Sequence, residues 1–417
     1  MPDEKLKTTE PRDHTDEPFF REWKDRRPGE ARSLERARQL AASLELESIG
    51  IPLLTVVGSK GKATTALYAS ATLSAAGLRV GTITSPPIIT NRERIRINGQ
   101  AISRAAYANL SQSLANLLDA QARDALQAGY LSPSGLYMLV GLRHFLNERC
   151  DVIVLEAGMG GRSDEVSLFP PAVVAVTSIF GEHANVLGPD VSAIALNKIG
   201  VVKASTQAVL SLPQSSEAAE VLLRETQKQH CPLTFVEPQR FEISPQINLP
   251  DGLSRANAAL GIEAAQKLLK LCGMRAASTS LLEKILSTIK LPGRLSAHVD
   301  ERGRKWLLDA AIDSCGIATA LEYAAREFGE IDTVLVCLPS GKDVAGVRAS
   351  LGQSPFVAVS LETEHLSFVE AEWGRRLIPL AEIETHLKGR RILALGTWSF
   401  VAALLKRLRF NYETAYE

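Results

Sequence analysis

The sequence predicts an α/β protein built as two nucleotide-fold-like halves. Three observations predict it. Short apolar runs alternate with segments of helical apolar spacing, the pattern of parallel sheets joined by crossover helices. The first apolar run, residues 53–57, enters a glycine-containing turn that opens a helix. Leu291-Pro292-Gly293-Arg294 interrupts the alternation, and a second α/β series follows it. A chain of 417 residues also exceeds one ordinary hydrophobic core.

Residues 1–33 are polar, charged and proline-containing and read as a flexible arm, with Phe19, Phe20 and Trp23 as the groups able to dock on the body. Residues 33–46 carry helical apolar spacing at Leu34, Ala37, Leu40 and Leu44. The buried strand 53–57 follows, then a helix over 62–76 stopped by Gly77. A strand over 79–84, a helix over 136–147 and a buried strand over 151–156 come next, the last ending in Glu156. A strand over 172–178, a helix over 191–203, a strand over 208–212 and a long helix over 254–271 with a serine cap complete residues 34–290. In residues 291–417 the pattern predicts strands at 306–310, 333–338, 356–360 and 391–395, with helices at 317–328 and 398–408.

Composition narrows the function. Lys plus Arg and Asp plus Glu both count 47, so the formal charge is zero and no general attraction to nucleic acid or anionic membrane is expected. Aromatic residues are sparse, which weakens a case for base stacking. The five cysteines form no C-x-x-C pair and are odd in number, the usage of reduced thiols in a cytoplasmic protein. No signal-peptide core and no bilayer-length apolar stretch is present. A cytoplasmic monomer acting on small molecules, with no nucleic-acid or membrane partner, is the expectation.

The turn reads Gly58-Ser59-Lys60-Gly61-Lys62-Ala63-Thr64-Thr65. Strand, glycine loop and helix in that order form a phosphate cradle. Glycines let backbone N–H groups close on phosphate oxygens, and the helix amino end adds partial positive charge. Lys62 supplies a full charge to the β/γ-phosphates, and Thr64 offers an oxygen to Mg²⁺. The spacing departs from G-x-x-x-x-G-K-[ST], with Val56 and Ala63 in place of a glycine and a hydroxyl. The alternative is a structural strand-to-helix turn with a surface lysine. Ligands bind at the carboxyl ends of strands in open α/β sheets, so Glu156 and Ser85 belong at the same edge as the Gly58 loop. A carboxylate there suits Mg²⁺. Taken alone, His183 is an ordinary loop residue, Lys198 a helix-surface charge, and Arg92, Glu93, Arg94 and Arg96 a solvated charged segment.

Taken together, these residues resemble the folylpolyglutamate synthase/dihydrofolate synthase family of the Mur ligase superfamily, from about Leu34 to the C-terminus. The family's G-T-N-G-K-G-S loop corresponds to residues 58–64. Its T-S-P-H and R-I-R-I-N-G segments correspond to Thr84-Ser85-Pro86-Pro87 and Arg94-Ile95-Arg96-Ile97-Asn98-Gly99. Its L-E-V-G-L-G-G-R-L-D corresponds to Leu155-Glu156-Ala157-Gly158-Met159-Gly160-Gly161-Arg162-Ser163-Asp164. D-H-x-x-x-L-G is matched by Glu182-His183-Ala184-Asn185-Val186-Leu187-Gly188, and E-K-A-G-I-I-K by Asn197-Lys198-Ile199-Gly200-Val201-Val202-Lys203. The N-A-A and P-G-R elements stand at Asn257-Ala258-Ala259 and Pro292-Gly293-Arg294.

The resemblance implies a P-loop Mur-ligase-type ATPase domain followed by a smaller Rossmann-like domain. It implies an ATP- and Mg²⁺-dependent ligase that activates a carboxylic acid as an acyl phosphate and joins it to the amine of an amino acid, glutamate in the family. By the same resemblance Lys62 stabilises the γ-phosphate. Thr64, Ser85, Glu156, His183 and Lys198 surround Mg²⁺, Lys198 as a carbamylated lysine. Gly58, Gly61, Ala63, Thr65, Asn257, Arg294 and Asp309 contact the nucleotide, Asp309 lying near it or near the amine. Lys62, Lys198, His183 and Asp309 are the catalytic set.

The chain also departs from the family. D-G-A-H-N is Asp309-Ala310-Ala311-Ile312-Asp313, so an isoleucine, which can neither donate a hydrogen bond nor carry a proton, replaces the histidine. Pro87 replaces the histidine of T-S-P-H, Lys60 the asparagine of the loop, and Gly341 the first aspartate of D-K-D. D-A-T-N is Asp164-Glu165-Val166-Ser167. Three readings stay open: a folate–glutamate ligase, the same chemistry on another acid, and a nucleotide-binding paralogue without ligase activity.

Overall fold

The computed structural model describes residues 14–27, 29–123, 129–237, 253–352, 354–362 and 366–417. The chain divides into two compact units, Met1–Ile289 with Glu413–Glu417, and Lys290–Tyr412.

The first unit contains α1 (Glu17–Asp25), α2 (Leu34–Ser43), β1 (Leu53–Val57), α3 (Lys62–Ala75), β2 (Val80–Ile83), β3 (Ile95–Ile97), β4 (Gln100–Ala101), α4 (Arg104–Arg123) and α5 (Pro133–Asn147). It continues with β5 (Val152–Glu156), β6 (Val173–Val176), α6 (Ala184–Leu187), α7 (Val191–Ile199), β7 (Ala208–Ser211), α8 (Ser216–Lys228), β8 (Leu233–Phe235), α9 (Leu253–Leu271) and α10 (Thr279–Ser287). Its eight-stranded sheet runs β4-β3-β2-β5-β1-β6-β7-β8. From β2 through β5, β1, β6 and β7 to β8 all neighbours are parallel, and the β2–β3 and β3–β4 pairs are antiparallel.

Alternation along the strands explains the layers. Leu53, Val57, Ile153, Leu155, Val174 and Val176 face one core, covered by α1, α2, α4, α5 and α7. Leu54, Val56, Val152, Val154, Val173 and Ala175 face the other, covered by α3 and α9. Both faces are buried, so the strands read as continuous apolar runs.

Two expected boundaries are corrected. The flexible arm over residues 1–33 does not hold for its described part. Phe19 on α1 is fully buried, its ring stacked 3.9 Å from Tyr137, and Glu22 takes Arg36 at 2.6 Å. Burying one such ring contributes about 2–3 kcal/mol, more than the roughly 1 kcal/mol of side-chain entropy lost on ordering it. At the other end the expected second domain, 291–417, gives up its last residues. Ala101 N donates to Glu413 O at 2.8 Å and Ala415 N to Gly99 O at 2.9 Å, so the tail lies along the β3–β4 hairpin. The charged segment beside it is not solvated either: Arg92, Glu93, Arg94 and Arg96 are buried, and Arg96 Nη1 donates to Gly99 O and Glu413 O at 3.0 Å each.

The second unit contains β9 (Ser296–Val299), β10 (Lys305–Asp309), α11 (Ser314–Phe328), β11 (Thr333–Cys337), α12 (Val344–Leu351), β12 (Phe356–Ser360), α13 (Glu370–Trp373), β13 (Ile378–Pro379), β14 (Arg391–Gly396) and α14 (Trp398–Arg407). Its sheet runs β13-β12-β11-β14-β10-β9, parallel except for β9.

Candidate nucleotide site

β1 ends at Val57, and α3 begins at Lys62 with Gly61 as its N-cap at φ +93°. No side chain caps this helix, so its first-turn N–H groups face the loop without a side-chain acceptor. Gly58 and Gly61 are required by space: a Cβ at Gly58 would collide with Thr177, and one at Gly61 with the Asn257 side chain. The loop is tied to the end of β6, where Ser59 N donates to Ser178 O at 2.9 Å and Phe180 N to Ser59 Oγ at 3.2 Å. Thr65 Oγ1 donates to Asn257 O on α9 at 3.0 Å. Thr64 is buried in the first turn, one residue after the half-buried Ala63. Lys62 Nζ folds back on the loop and donates to Gly58 O at 3.0 Å and Ser59 O at 3.4 Å.

Lys198, near the end of α7, reaches the same loop. Its fully buried Nζ donates to Gly58 O at 2.9 Å, Met159 O at 3.2 Å and Glu182 Oε1 at 2.8 Å. Burial lowers its pKa and the bond to Glu182 opposes this, with Lys62 lowering it further. Three donor bonds leave the ammonium no lone pair, so Lys198 in this form is not a metal ligand. The turn after β5 is pinned to α7 through Asn197, whose carbonyl accepts from Arg162 N at 2.7 Å and whose Oδ1 accepts from Gly161 N at 3.1 Å.

Glu156 pairs with Val56 in the β1–β5 register, which puts it at the edge from which the Gly58 loop departs. Its Oε2 accepts from Ser85 N at 2.8 Å, and Ser85 Oγ accepts from the buried Arg94 Nη1 at 2.8 Å. His183 is exposed at the amino end of α6, and its side chain makes no hydrogen bond or ion pair among the described residues. Within the described residues no three His, Cys, Asp or Glu side chains form a metal-binding group.

In the second unit Asp309 ends β10, and its Oδ2 accepts from Leu295 N at 2.8 Å. Ala310 N donates to Gly293 O at 3.0 Å, so Asp309 holds the turn that carries Arg294. The Arg294 guanidinium lies 5.3 Å from the Trp398 ring centroid. Ile312 is half-buried. Asp313 and Asp343 cap α11 and α12, accepting from Gly316 N and Gly346 N at 2.8 Å each.

Sequence reasoning assigned no role to Glu182, Asn197 or Arg94. Glu182 had a signal, a carboxylate beside His183 in a segment otherwise matched. Arg94 had one too, the first position of the matched R-I-R-I-N-G segment, but its burial is set by tertiary packing.

The gapped parallel sheets, the uncapped glycine loop and the lysines above it define a protein of the Mur-ligase fold, a P-loop unit followed by a smaller Rossmann-like unit. The chain is 27% identical over 319 residues to a putative folylpolyglutamate synthase of Caenorhabditis elegans, covering 72% of this chain and 61% of that protein. It is 29% identical over 331 residues to the dihydrofolate synthase/folylpolyglutamate synthase of Escherichia coli, covering 76% and 74%. The solved folylpolyglutamate synthase of Mycobacterium tuberculosis complexed with ADP and AMPPCP superposes with a TM-score of 0.75 at 22% identity, over 91% of this chain and 96% of that one. No protein-family profile matches the chain. The chain is thus similar in sequence to folylpolyglutamate and dihydrofolate synthases and shares their fold, and its match spans less than two thirds of the C. elegans relative. No described helix is long and apolar enough to cross a membrane.

Proposed function

We propose that the protein is an ATP-dependent ligase joining a carboxylic acid, a folate or pteroate, to the amine of glutamate. The observation that carries this reading is the meeting of Lys62 and Lys198 at Gly58 O, at the sheet edge where Glu156 and Ser85 are bonded to each other. A carboxylate does not form an amide unaided, because its oxygen is a poor leaving group. Transfer of the γ-phosphoryl group to the acid gives an acyl phosphate, and the glutamate amine then displaces phosphate. Such transfers are accelerated by alignment and charge compensation.

The residues fit the nucleotide. Glycines leave room at the loop, the uncapped helix end offers N–H groups, and Lys62 offers a cation. Asn257, Arg294 and Asp309 are further proposed nucleotide contacts. Thr64, Ser85 and Glu156 are hard oxygen donors suited to Mg²⁺, which supplies charge compensation when bound. His183 and Lys198 join that set only if His183 turns inward and Lys198 is carbamylated; the lowered pKa of Lys198 favours the neutral amine that reacts with CO₂. The protein acts as a cytoplasmic monomer.

Ile312 favours a second reading, the same chemistry on another acid. Phosphate release from ATP with dihydropteroate or a reduced folate plus glutamate separates the two. Release with either acid, lost in Lys62→Ala, supports the folate reading. ATP binding without release on these acids points to another acid or to a paralogue without ligase activity. Absence of ATP binding removes every ligase reading.

A further inference from the structure

The second unit carries an open surface hollow of about 390 Å³, lined by exposed residues around the half-buried Phe356, that the ligase chemistry leaves unused. Arg348, Phe356 and Arg375 line it, with Ala345, Ala349 and Gly352. Phe356 is the first residue of β12, and the strands from β12 through β11 and β14 to β10 are parallel. The cavity therefore opens at the amino edge of the sheet, whereas Asp309 ends β10 at the carboxyl edge. A five-residue strand separates the two edges by about 15 Å.

Both guanidinium groups are held by neutral partners. Arg348 Nη1 donates to Glu372 O at 2.8 Å, and Arg375 Nη1 to Phe356 O at 2.6 Å. The Arg375 guanidinium also covers the Phe356 ring, 3.9 Å from its centroid, and that ring rests on the buried Trp373. Gly374 turns the chain at φ +62°, and a Cβ there would stand 3.1 Å from Arg348 Nη2. Glycine thus leaves Arg348 its place beside the turn that delivers Arg375. Among the described residues neither arginine has a carboxylate partner, unlike neighbouring Arg376, which reaches Glu382 at 3.8 Å.

Carbonyl oxygens fix these groups without neutralising them. Two like charges at one open hollow repel, though water screens them, and an oxyanion between them reverses the sign of the interaction. The carboxyl end of α12 contributes roughly −0.5 charge, well short of two guanidinium groups. A guanidinium fork matches carboxylate and phosphate alike. The volume suits a small organic molecule, near the lower end of the usual ~300–1,000 Å³, and exceeds a single inorganic anion. We propose that this cavity binds a small organic polyanion, with two or more carboxylate or phosphate groups on one carbon framework. The proposal does not depend on the ligase reading.

The test is calorimetric titration of the full chain, in low-salt phosphate-free buffer, with citrate, γ-glutamylglutamate and 3-phosphoglycerate. At least one probe should bind, and Arg348→Gln and Arg375→Gln should each weaken it by about tenfold or more. Lys62→Ala should leave that binding unchanged, and Arg375→Lys should retain part of it. The preferred probe distinguishes a polycarboxylate from a phosphate ester. Binding of no probe, binding that survives both Gln variants, or binding lost in Lys62→Ala would overturn the proposal.

Discussion

Lys62 and Lys198 donate to the same atom, the carbonyl oxygen of Gly58, at 3.0 and 2.9 Å. One comes from the first residue of α3 and the other from the last turn of α7. Glu182 compensates Lys198 at 2.8 Å, whereas Lys62 has no carboxylate partner among the described residues. Two ammonium groups share an oxygen, and only one has an anion. On the proposed reading Lys62 is the charge offered to an incoming phosphate, and the backbone bonds it would give up are ordinary ones.

Lys62→Ala should weaken binding of AMPPCP with Mg²⁺ by roughly 10- to 100-fold, the effect of losing one hydrogen bond from a charged group at ~1.5–3 kcal/mol. Calorimetry reads the change directly. An affinity equal to that of the parent protein would place the triphosphate elsewhere.

Lys198 should take up CO₂ at a lower pH than an ordinary lysine, because burial, aided by nearby Lys62, lowers its pKa. Only the neutral amine reacts, forming a carbamate and releasing a proton. With ¹³C-labelled bicarbonate, NMR should show a protein carbamate whose signal grows with pH and vanishes in Lys198→Arg. A spectrum identical in the two proteins would leave Lys198 as a structural ammonium.

The legible parts of the fold were those whose signal is local. Strand β1 and helix α3 stood out because an apolar run, two glycines and a lysine sit consecutively, and β5 because its apolar run ends in Glu156. Helix α4 was legible as well, since its buried Tyr107, Ser111, Leu114 and Leu118 recur every three to four residues, but no element was assigned there. The two-residue strands β4 and β13 are too short to carry an alternation of their own, and the burial of Arg94 and the docking of α1 depend on partners distant in sequence. Among the site residues, Gly58, Gly61, Lys62, Thr65, Asn257 and Lys198 are brought together around one loop, and Glu156 and Ser85 are bonded at the same sheet edge. His183 is not bonded to them. Ile312 and Asp313 looked like losses from a motif; Asp313 proves to be a helix cap, a role no spacing rule singled out.

Glu165 should make stability depend on pH. Its carboxylate is buried next to Asp164, with Arg32 3.4 Å away and Ser132 Oγ donating at 2.7 Å. Burial first, then Asp164, pushes its pKa up to about 7, with Arg32 opposing. Between the ordinary glutamate value and that figure the native state holds more protons than the unfolded state. The stabilising contribution is thus complete below the unfolded pKa and is lost as pH rises through the window. Urea midpoints at pH 5 and pH 8 should show the parent losing stability over this range more steeply than Glu165→Gln. Parallel behaviour of the two proteins would mean that Glu165 titrates like a solvated carboxylate.

Tyr416 should anchor the C-terminal tail to the first unit. Its side chain is 3% exposed, and its hydroxyl bonds Ser70 at 2.7 Å and Ser74 at 2.9 Å, with Ser70 also bonded to Thr82 at 2.6 Å. Glu417 N and Thr288 Oγ1 close the end of the tail at 2.8 Å. Tyr416→Phe keeps the ring and removes one end of a buried hydroxyl network, costing about 1–2 kcal/mol. Tyr416→Ala also leaves a cavity and should cost about 3–5 kcal/mol. Three of the four tryptophans, Trp306, Trp373 and Trp398, belong to the second unit, so fluorescence reports that unit while circular dichroism reports both. The loss should appear in the dichroism transition of the first unit, in the order Ala, then Phe, then parent, with the fluorescence transition shifted less. Equal stability of the alanine variant and the parent would show that the tail merely rests on the hairpin.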